Sequence, residues 1–272
     1  MTHDAPHLDT TTAHPARRYN YWLGGKDNFA ADRASADAIE RVFPHIRTAA
    51  RENRAFLQRA VRILIAAGVR QFLDIGTGLP TADNTHEVAQ QLAPDARVVY
   101  VDNDPLVMVH ARALLTSSPE GRTAYIEADL REPARILGHP QLAGTLDLSK
   151  PVALMLVATL HFLSDDQQPY TAVKQLVDRL VPGSYLAATH ATTDFLDAQT
   201  QAALVAQNND IIARDREQFT RFFTGLDLVE PGVEVITNWR PDPGVTMPPP
   251  EHVSMYGALA RIPGITKPGD SR

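Results

Sequence analysis

Apolar positions along this chain change their period several times. From Ile46 to Leu64 they recur at helical spacing: Ile46, Ala49, Ala50, Phe56, Leu57, Ala60, Val61 and Leu64, with the polar Asn53 on the same face. The pattern predicts a helical region over 30–67, started by Asp27 or Asn28 as a cap, divided at Pro44 and closed by Gly68. Short apolar runs then take over. Strands are predicted at Gln71–Ile75, 97–101, 123–127, 152–157 and 184–189, with helices at 82–92, 106–115 and 165–180 between them. Residues 131–148 read as helix or loop. The run 152–157 is apolar throughout, as a parallel strand buried on both faces must be. This alternation predicts crossover connections and a doubly wound, mostly parallel α/β sheet. A long helical insertion is expected over 194–223, with a polar waist at 207–210. Residues 226–229 and 233–236 and Met255–Arg261 read as closing strands.

Composition narrows the class. A chain of 272 residues, 44% hydrophobic and 21% charged, fits one large domain or one domain with a small appendage. The absence of cysteine excludes disulfides, thiolate zinc sites and a cysteine nucleophile, including the cysteine adduct route to cytosine C5. It also suits a cytoplasmic protein. A net charge of -6 and a pI near 5.9 lack the basic footprint of a nucleic-acid binder. Residues 1–16 contain no apolar core of a signal peptide, and the longest apolar run, 152–160, is too short to span a bilayer. Neither a nucleic-acid nor a membrane partner is expected, and no metal site is indicated.

Candidate chemistry begins where the first strand ends. The run Q-F-L-D-I-G-T-G from Gln71 to Gly78 breaks from apolar strand into a glycine turn. Such a turn lets the backbone approach a nucleotide closely. The third glycine of the dinucleotide fingerprint is missing, since Pro80 and Thr81 stand there. Asp74 would repel a pyrophosphate and suit a cationic amino group, which favours a ligand such as S-adenosylmethionine over a nicotinamide dinucleotide. Asp102, 24 residues beyond Gly78 at the end of the second strand, is placed to bind ribose hydroxyls. Asp129 follows the third strand and could take an adenine amino group.

Other segments offer a cover and an acceptor site. The stretch 17–29, R-R-Y-N-Y-W-L-G-G-K-D-N-F, packs four aromatics against two glycines and three basic residues. So much aromatic surface must be buried, either on the domain's flank or as a lid in which Tyr19, Tyr21 and Lys26 face a ligand. Arg47, Arg51 and Arg54 share a helical stripe. Such a stripe is as a rule a solvated face; if the helix borders the pocket, Arg51 or Arg54 would hold a carboxylate. His161 and His190 end neighbouring strands and are candidate bases, His190 being more simply read as satisfied by backbone. Arg214 on the insertion would face the same mouth.

Together, Asp74-x-Gly76-x-Gly78, Asp102 and Asp129 resemble the class I S-adenosylmethionine-dependent methyltransferases. The match is closer to one bacterial family within them, formerly a domain of unknown function and called S-adenosyl methyltransferase. Its motifs stand here as R-R-Y-N-Y-W-L-G-G-K-D-N-F-A-A-D-R (17–33), A-R-E-N-R-A-F-L (50–57), F-L-D-I-G-T-G-L-P-T (72–81), N-T-H-E-V-A (84–89), Y-V-D-N-D-P (100–105) and F-F-x-G-L (222–226). The resemblance implies a seven-stranded Rossmann-like sheet whose last strand is antiparallel, with S-adenosylmethionine over the glycine turn. It implies that Asp74, Gly76, Thr77 and Gly78 line the methionine part, Asp102 and Asn103 the ribose, and Asp129 and Leu130 the adenine. Ala158 and His161 would flank the sulfonium. The fourth strand lacks the Asp-Pro-Pro-Tyr ending used on exocyclic amino groups of bases.

The expected organisation is a disordered tail (1–16), a lid with helices (17–69), a methyltransferase core (70–262) interrupted by the insertion, and a second tail (263–272). The expected reaction is methyl transfer to a small-molecule O or N nucleophile. Two other readings are a non-catalytic binder of S-adenosylmethionine or its product, and a nicotinamide-dependent oxidoreductase. Asp74 and the missing glycine speak against the latter.

Overall fold

The structure, a computed structural model, describes residues 9–114, 117–207 and 210–264. Three helices lead in: α1 (Pro15–Trp22), α2 (Ala30–Val42) and α3 (Ile46–Ala66). The expected tail 1–16 falls outside the described residues at 1–8, and its end already belongs to α1. The expected tail 263–272 lies outside from residue 265 onward. Neither Asp27 nor Asn28 caps α2. Asp32 does so from inside the helix, accepting from the N–H of Phe29 at 2.8 Å and from the N–H of His14 at 2.8 Å. Asn28 is instead drawn to Asn20 and Gly25, where its amide donates at 3.0 Å to each.

Beyond α3 the alternation runs as expected, with shifted ends. It comprises β1 (Gln71–Ile75), α4 (Thr85–Leu92), β2 (Arg97–Asp102), α5 (Pro105–Leu114), β3 (Arg122–Glu127), α6 (Pro133–Leu137) and α7 (Pro140–Thr145). Next come β4 (Ala153–Leu156), α8 (Pro169–Val177) and β5 (Tyr185–Ala191). Helix α4 starts three residues later than its apolar pattern, because Asn84 and Glu87 close a capping box there. Helix α8 starts only at Pro169, since Gln168 before it is left-handed at φ 55°.

The 194–223 insertion is not one long helix. It folds as α9 (Ala198–Ala206) and α10 (Arg216–Thr220), with residues 210–215 before α10 outside any helix. In that stretch Ile212 N–H donates to the His161 carbonyl at 2.7 Å and Arg214 N–H to the Ala191 carbonyl at 3.2 Å. These tertiary bonds replace the i to i−4 bonds a continuous helix would need. Part of the polar waist, 208–209, lies outside the described residues.

Strands β1 to β5 are parallel, β8 (Met255–Arg261) runs antiparallel to β5, and with β6 (Asp227–Leu228) at the edge the order is β3-β2-β1-β4-β5-β8-β6. The edge strand is split. Its pieces β6 (Asp227–Leu228) and β7 (Glu234–Val235) both pair with β8, so the eight strands fill seven positions. Strand β1 sits at the centre, where Asp74 is flanked by Tyr100 and Met155. Its faces are dry: Phe72, Leu73 and Ile75 are essentially without exposure. Helix α3 closes one face. Phe56 meets Trp239 edge-on at 5.2 Å, and buried Arg59 donates to the carbonyls of Ile236 and Trp239.

Candidate functional site

Open α/β sheets bind ligands beyond the carboxyl ends of their strands, where the strand order reverses. Here that place is the end of β1, between β2 and β4. Gly76 and Gly78 both have positive φ, 75° and 70°. A Cβ on Gly76 would stand 2.2 Å from the Thr159 hydroxyl; one on Gly78 would meet open space. Gly76 is thus demanded twice, by conformation and by contact, and Gly78 leaves room over the turn. The Thr77 hydroxyl ties the turn down by donating to the Asp74 carbonyl at 3.0 Å.

Three carboxylates ring this turn in different states. Asp74 Oδ2 accepts from the Thr85 hydroxyl at 2.6 Å. Burial pushes its carboxyl up to about 6, against the opposing pull of that bond and of Arg54. Asp102 accepts two backbone N–H groups, Gly78 at 2.8 Å and Asp104 at 2.9 Å, so it fastens the turn to the end of β2. Its carboxyl is raised by burial despite those bonds. Asp129 is held by Asn103 at 2.9 Å and by the Arg131 side chain at 2.8 and 2.5 Å. Burial works against it, but these bonds win and bring it to about 2.

These groups line a cavity of about 250 Å³. Of the residues expected at a cofactor, Tyr19, Asp74, Gly76, Thr77, Gly78, Asp102, Asn103, Asp129, Leu130 and Ala158 are on its wall, and so is Arg54. A second cavity of about 470 Å³ lies against it, and Pro15, Tyr19, Ala158 and Phe162 line both. Ala158 has φ 56°, a conformation that costs an alanine free energy, and its N–H donates to the Thr189 hydroxyl at 2.8 Å.

Several expected site residues sit elsewhere. His161 lines only the second cavity, not the first. Lys26 is exposed and lines neither. The Tyr21 hydroxyl donates to Asp37 at 3.0 Å and its ring lies 4.7 Å from the Arg47 guanidinium, which turns it toward α2. Arg51 is exposed and donates to Thr48. His190 and Arg214 are buried and line neither cavity. Arg214 donates to the carbonyls of Leu160 and Leu163, to Asp165 and to His190 Nε2, so it clamps the insertion onto the sheet. His190 is a structural residue: Nδ1–H donates to the Ala191 carbonyl at 2.7 Å, and burial drives its pKa down to about 3.

Other lining residues were not anticipated. His14, Pro15 and Ala16 come from the segment expected as tail. Helix α1 is held over the cavity by two ion pairs. Arg17 meets Asp104 through both carboxylate oxygens, at 2.8 and 2.9 Å, and the pair is fully buried. Arg18 pairs with Asp210, itself on the cavity wall. The signal was available in outline: paired arginines open the aromatic stretch, and D-N-D-P offers a second acid two residues past Asp102.

The first cavity has the donor set that a nucleoside bearing a cationic amino acid requires. The buried carboxylates of Asp74 and Asp102 and the guanidinium of Arg54 line it, and Gly78 leaves its face of the turn free. Asn53 Oδ1, buried at the same wall, has no hydrogen-bond partner among the described residues, and a donor on such a ligand would satisfy it. Among the described residues no group of His, Cys, Asp or Glu could hold a metal ion, and no helix is long and apolar enough to cross a membrane.

Comparison with known proteins agrees with this geometry. The family model for S-adenosyl methyltransferase matches residues 1–263. A DUF574 family protein from Streptomyces avermitilis MA-4680 is 46% identical, with a TM-score of 0.87 over 94% of this chain and 99% of that one. A protein from Thermobifida fusca YX, described as a methyltransferase by inference, is 42% identical, with a TM-score of 0.86 over 97% and 100% of the two chains. The magnesium protoporphyrin IX methyltransferase of Synechocystis PCC 6803, solved with bound S-adenosylhomocysteine, shares the fold at 12% identity, a TM-score of 0.52 and 90% and 92% coverage. No curated protein sequence matches the chain. The chain belongs to the S-adenosyl methyltransferase family, and it is a methyltransferase whose cofactor is S-adenosylmethionine.

Proposed function

We propose that the enzyme methylates an oxygen or nitrogen nucleophile of a small molecule seated in the larger cavity. The observation that carries this is the common wall: Pro15, Tyr19, Ala158 and Phe162 border both cavities, so the two ligands would meet there. The larger cavity falls within the ~300–1,000 Å³ typical of small-molecule sites. It lies under α1 and the insertion, which suits a covered ligand better than a macromolecule.

Bound S-adenosylmethionine supplies an activated methyl group and its leaving group, so the protein's task is alignment. In this reading Asp74 holds the cofactor's ammonium, Arg54 its carboxylate, and Gly76, Thr77 and Gly78 the chain between. Asp102 and Asn103 take the ribose. Leu130 packs the adenine, beside Asp129, whose oxygens Asn103 and Arg131 already occupy. Tyr19 and Ala158 set the distance between the two ligands. His161 stands on the acceptor side and orients the nucleophile. Residues 17–69 act as cover and residues 70–262 as core. Positioning of this kind contributes roughly 7–11 kcal/mol to a barrier that it lowers.

The test is a transfer assay with methyl-labelled S-adenosylmethionine in fractionated bacterial extract. Label is expected in the low-mass fraction and absent when Asp74 is replaced by Ala. Label confined to protein or nucleic acid would overturn the small-molecule assignment.

A further inference from the structure

The larger cavity is one-sided in its chemistry. Among the described residues no Asp, Glu, Lys or Arg lines it. Two groups on its wall titrate, Tyr19 and His161, and both stay neutral. The Tyr19 hydroxyl donates to the Ala50 carbonyl at 2.9 Å and accepts from the Asn53 amide at 3.0 Å, while burial raises its pKa. His161 is buried, and burial, with His190, Arg18 and Arg214 behind it, drives its pKa well below the usual value. The Ala191 N–H points at His161 Nδ1 from 3.4 Å. That bond assigns the ring proton to Nε2, leaving it a donor with no lone pair to act as a base.

The remaining wall is mostly apolar, and the buried Trp22 Nε1–H on it is a second neutral donor with no hydrogen-bond partner among the described residues. Trp22, Phe43, Leu204 and Met255 supply much of its surface. The Ser254 hydroxyl donates to the Thr192 carbonyl at 2.8 Å, and the Thr192 hydroxyl accepts from the Asp194 N–H at 3.2 Å. A carboxylate or ammonium brought here would lose its water and touch no side chain of opposite charge on the wall, which costs several kcal/mol. An uncharged ring system would lose little and gain aromatic contact.

From this we infer that the acceptor binds as an uncharged, largely apolar ring compound, and that His161 meets it as a hydrogen-bond donor through Nε2–H. The inference rests on the cavity's being the acceptor site, as proposed above. It excludes free amino acids, phosphate esters and carboxylic acids as acceptors. His161 is a positioning residue here, because it fixes the ring's orientation and removes no proton.

Calorimetry with naphthalene probes, in the presence of S-adenosylhomocysteine, tests it. Acetylnaphthalene, which is neutral and carries a carbonyl, should bind about a hundredfold or more tighter than naphthoate or naphthylmethylammonium. His161→Asn keeps an N–H donor and should hold acetylnaphthalene within a few-fold. His161→Leu should weaken it about tenfold while sparing methylnaphthalene, which has no acceptor oxygen. Leu204→Arg adds a cation to the wall and should raise naphthoate affinity, a gain that no loss of folding can imitate. Affinity for acetylnaphthalene should stay level from about pH 6.5 to 8, because burial holds the His161 imidazole neutral above its ordinary value. Equal or tighter binding of either charged probe to the unaltered enzyme would overturn the inference about the cavity. An Asn variant as weak as the Leu variant would overturn the donor role. Failure of the small-molecule reading would show separately, as label missing from low-mass product while these probes still bind.

Discussion

Asp74 sets folding against binding. Its carboxyl is buried and lies near 6, against 3.8 in an unfolded chain. The folded enzyme therefore holds a proton that the unfolded chain has lost between these values, and stability falls as pH rises from about 4 to 6. At neutral pH the ionised group costs ~3 kcal/mol. Asp74→Asn should raise the melting temperature of the ligand-free enzyme and weaken S-adenosylmethionine about tenfold or more, since a charged partner is lost. Cofactor affinity of the unaltered enzyme should likewise decline below about pH 6, as the carboxyl protonates. Calorimetry and a thermal melt check all three, and a lower melting temperature for the Asn variant would contradict the account. Legibility at this scale followed the backbone. Asp74, Asp102 and Asp129 stand at strand ends, so sequence position alone placed them on the cavity. Tyr21, Arg214 and Lys26 line neither cavity, because the direction of a side chain on a helix or loop depends on what that element packs against. Arg51 and Arg54 share a stripe, yet only Arg54 reaches the cavity, where it donates to the carbonyls of Ala82 and Asp83.

Helix α1 depends on contacts outside itself. It has only eight residues, too few to be stable alone. The buried Arg17–Asp104 pair joins it to the end of β2, and Arg18–Asp210 joins it to the insertion. Replacing Arg17 with Met leaves the Asp104 carboxylate buried without its cation. A loss of about 3–5 kcal/mol is expected, together with weaker cofactor binding because Pro15, Ala16 and Tyr19 leave the wall. Urea unfolding and calorimetry measure the two effects. If Arg17→Met lost stability but kept full cofactor affinity, α1 would be packing and not cover. The elements were legible wherever local pattern and packing agree, as in α3 and the parallel strands. They were not where a long-range bond overrides propensity. The insertion breaks because the backbone of Ile212 and Arg214 bonds to residues from two other segments, His161 and Ala191. Helix α1 straddles the boundary between the expected tail and the expected lid, and its start was missed because its stabilising partner Asp104 lies 87 residues away.

The molecule as a whole carries buried histidines that acid will charge. His190 lies near 3 and His161 well below 6.5 in the folded state. The unfolded chain protonates both near 6.5, so their contribution is intact above that pH and is lost as pH falls toward 3. Asp74 and Asp102, whose carboxyls burial raises, work in the opposite sense as pH falls. Chemical unfolding at two pH values on either side of 6.5 should show that acidification costs His190→Gln less stability than it costs the unaltered enzyme. An equal change in the two proteins would refute the assignment. Finally, with cofactor and acceptor seated as proposed, the wall that the two cavities share would make their occupants interdependent. Whatever factor S-adenosylhomocysteine imposes on the affinity of an acceptor analogue, the analogue must impose on S-adenosylhomocysteine. Pro15, Tyr19, Ala158 and Phe162 are the residues through which that reciprocity would act. Enlarging the wall at Phe162 should change the coupling factor itself, so selection for a new acceptor would alter cofactor retention at the same time.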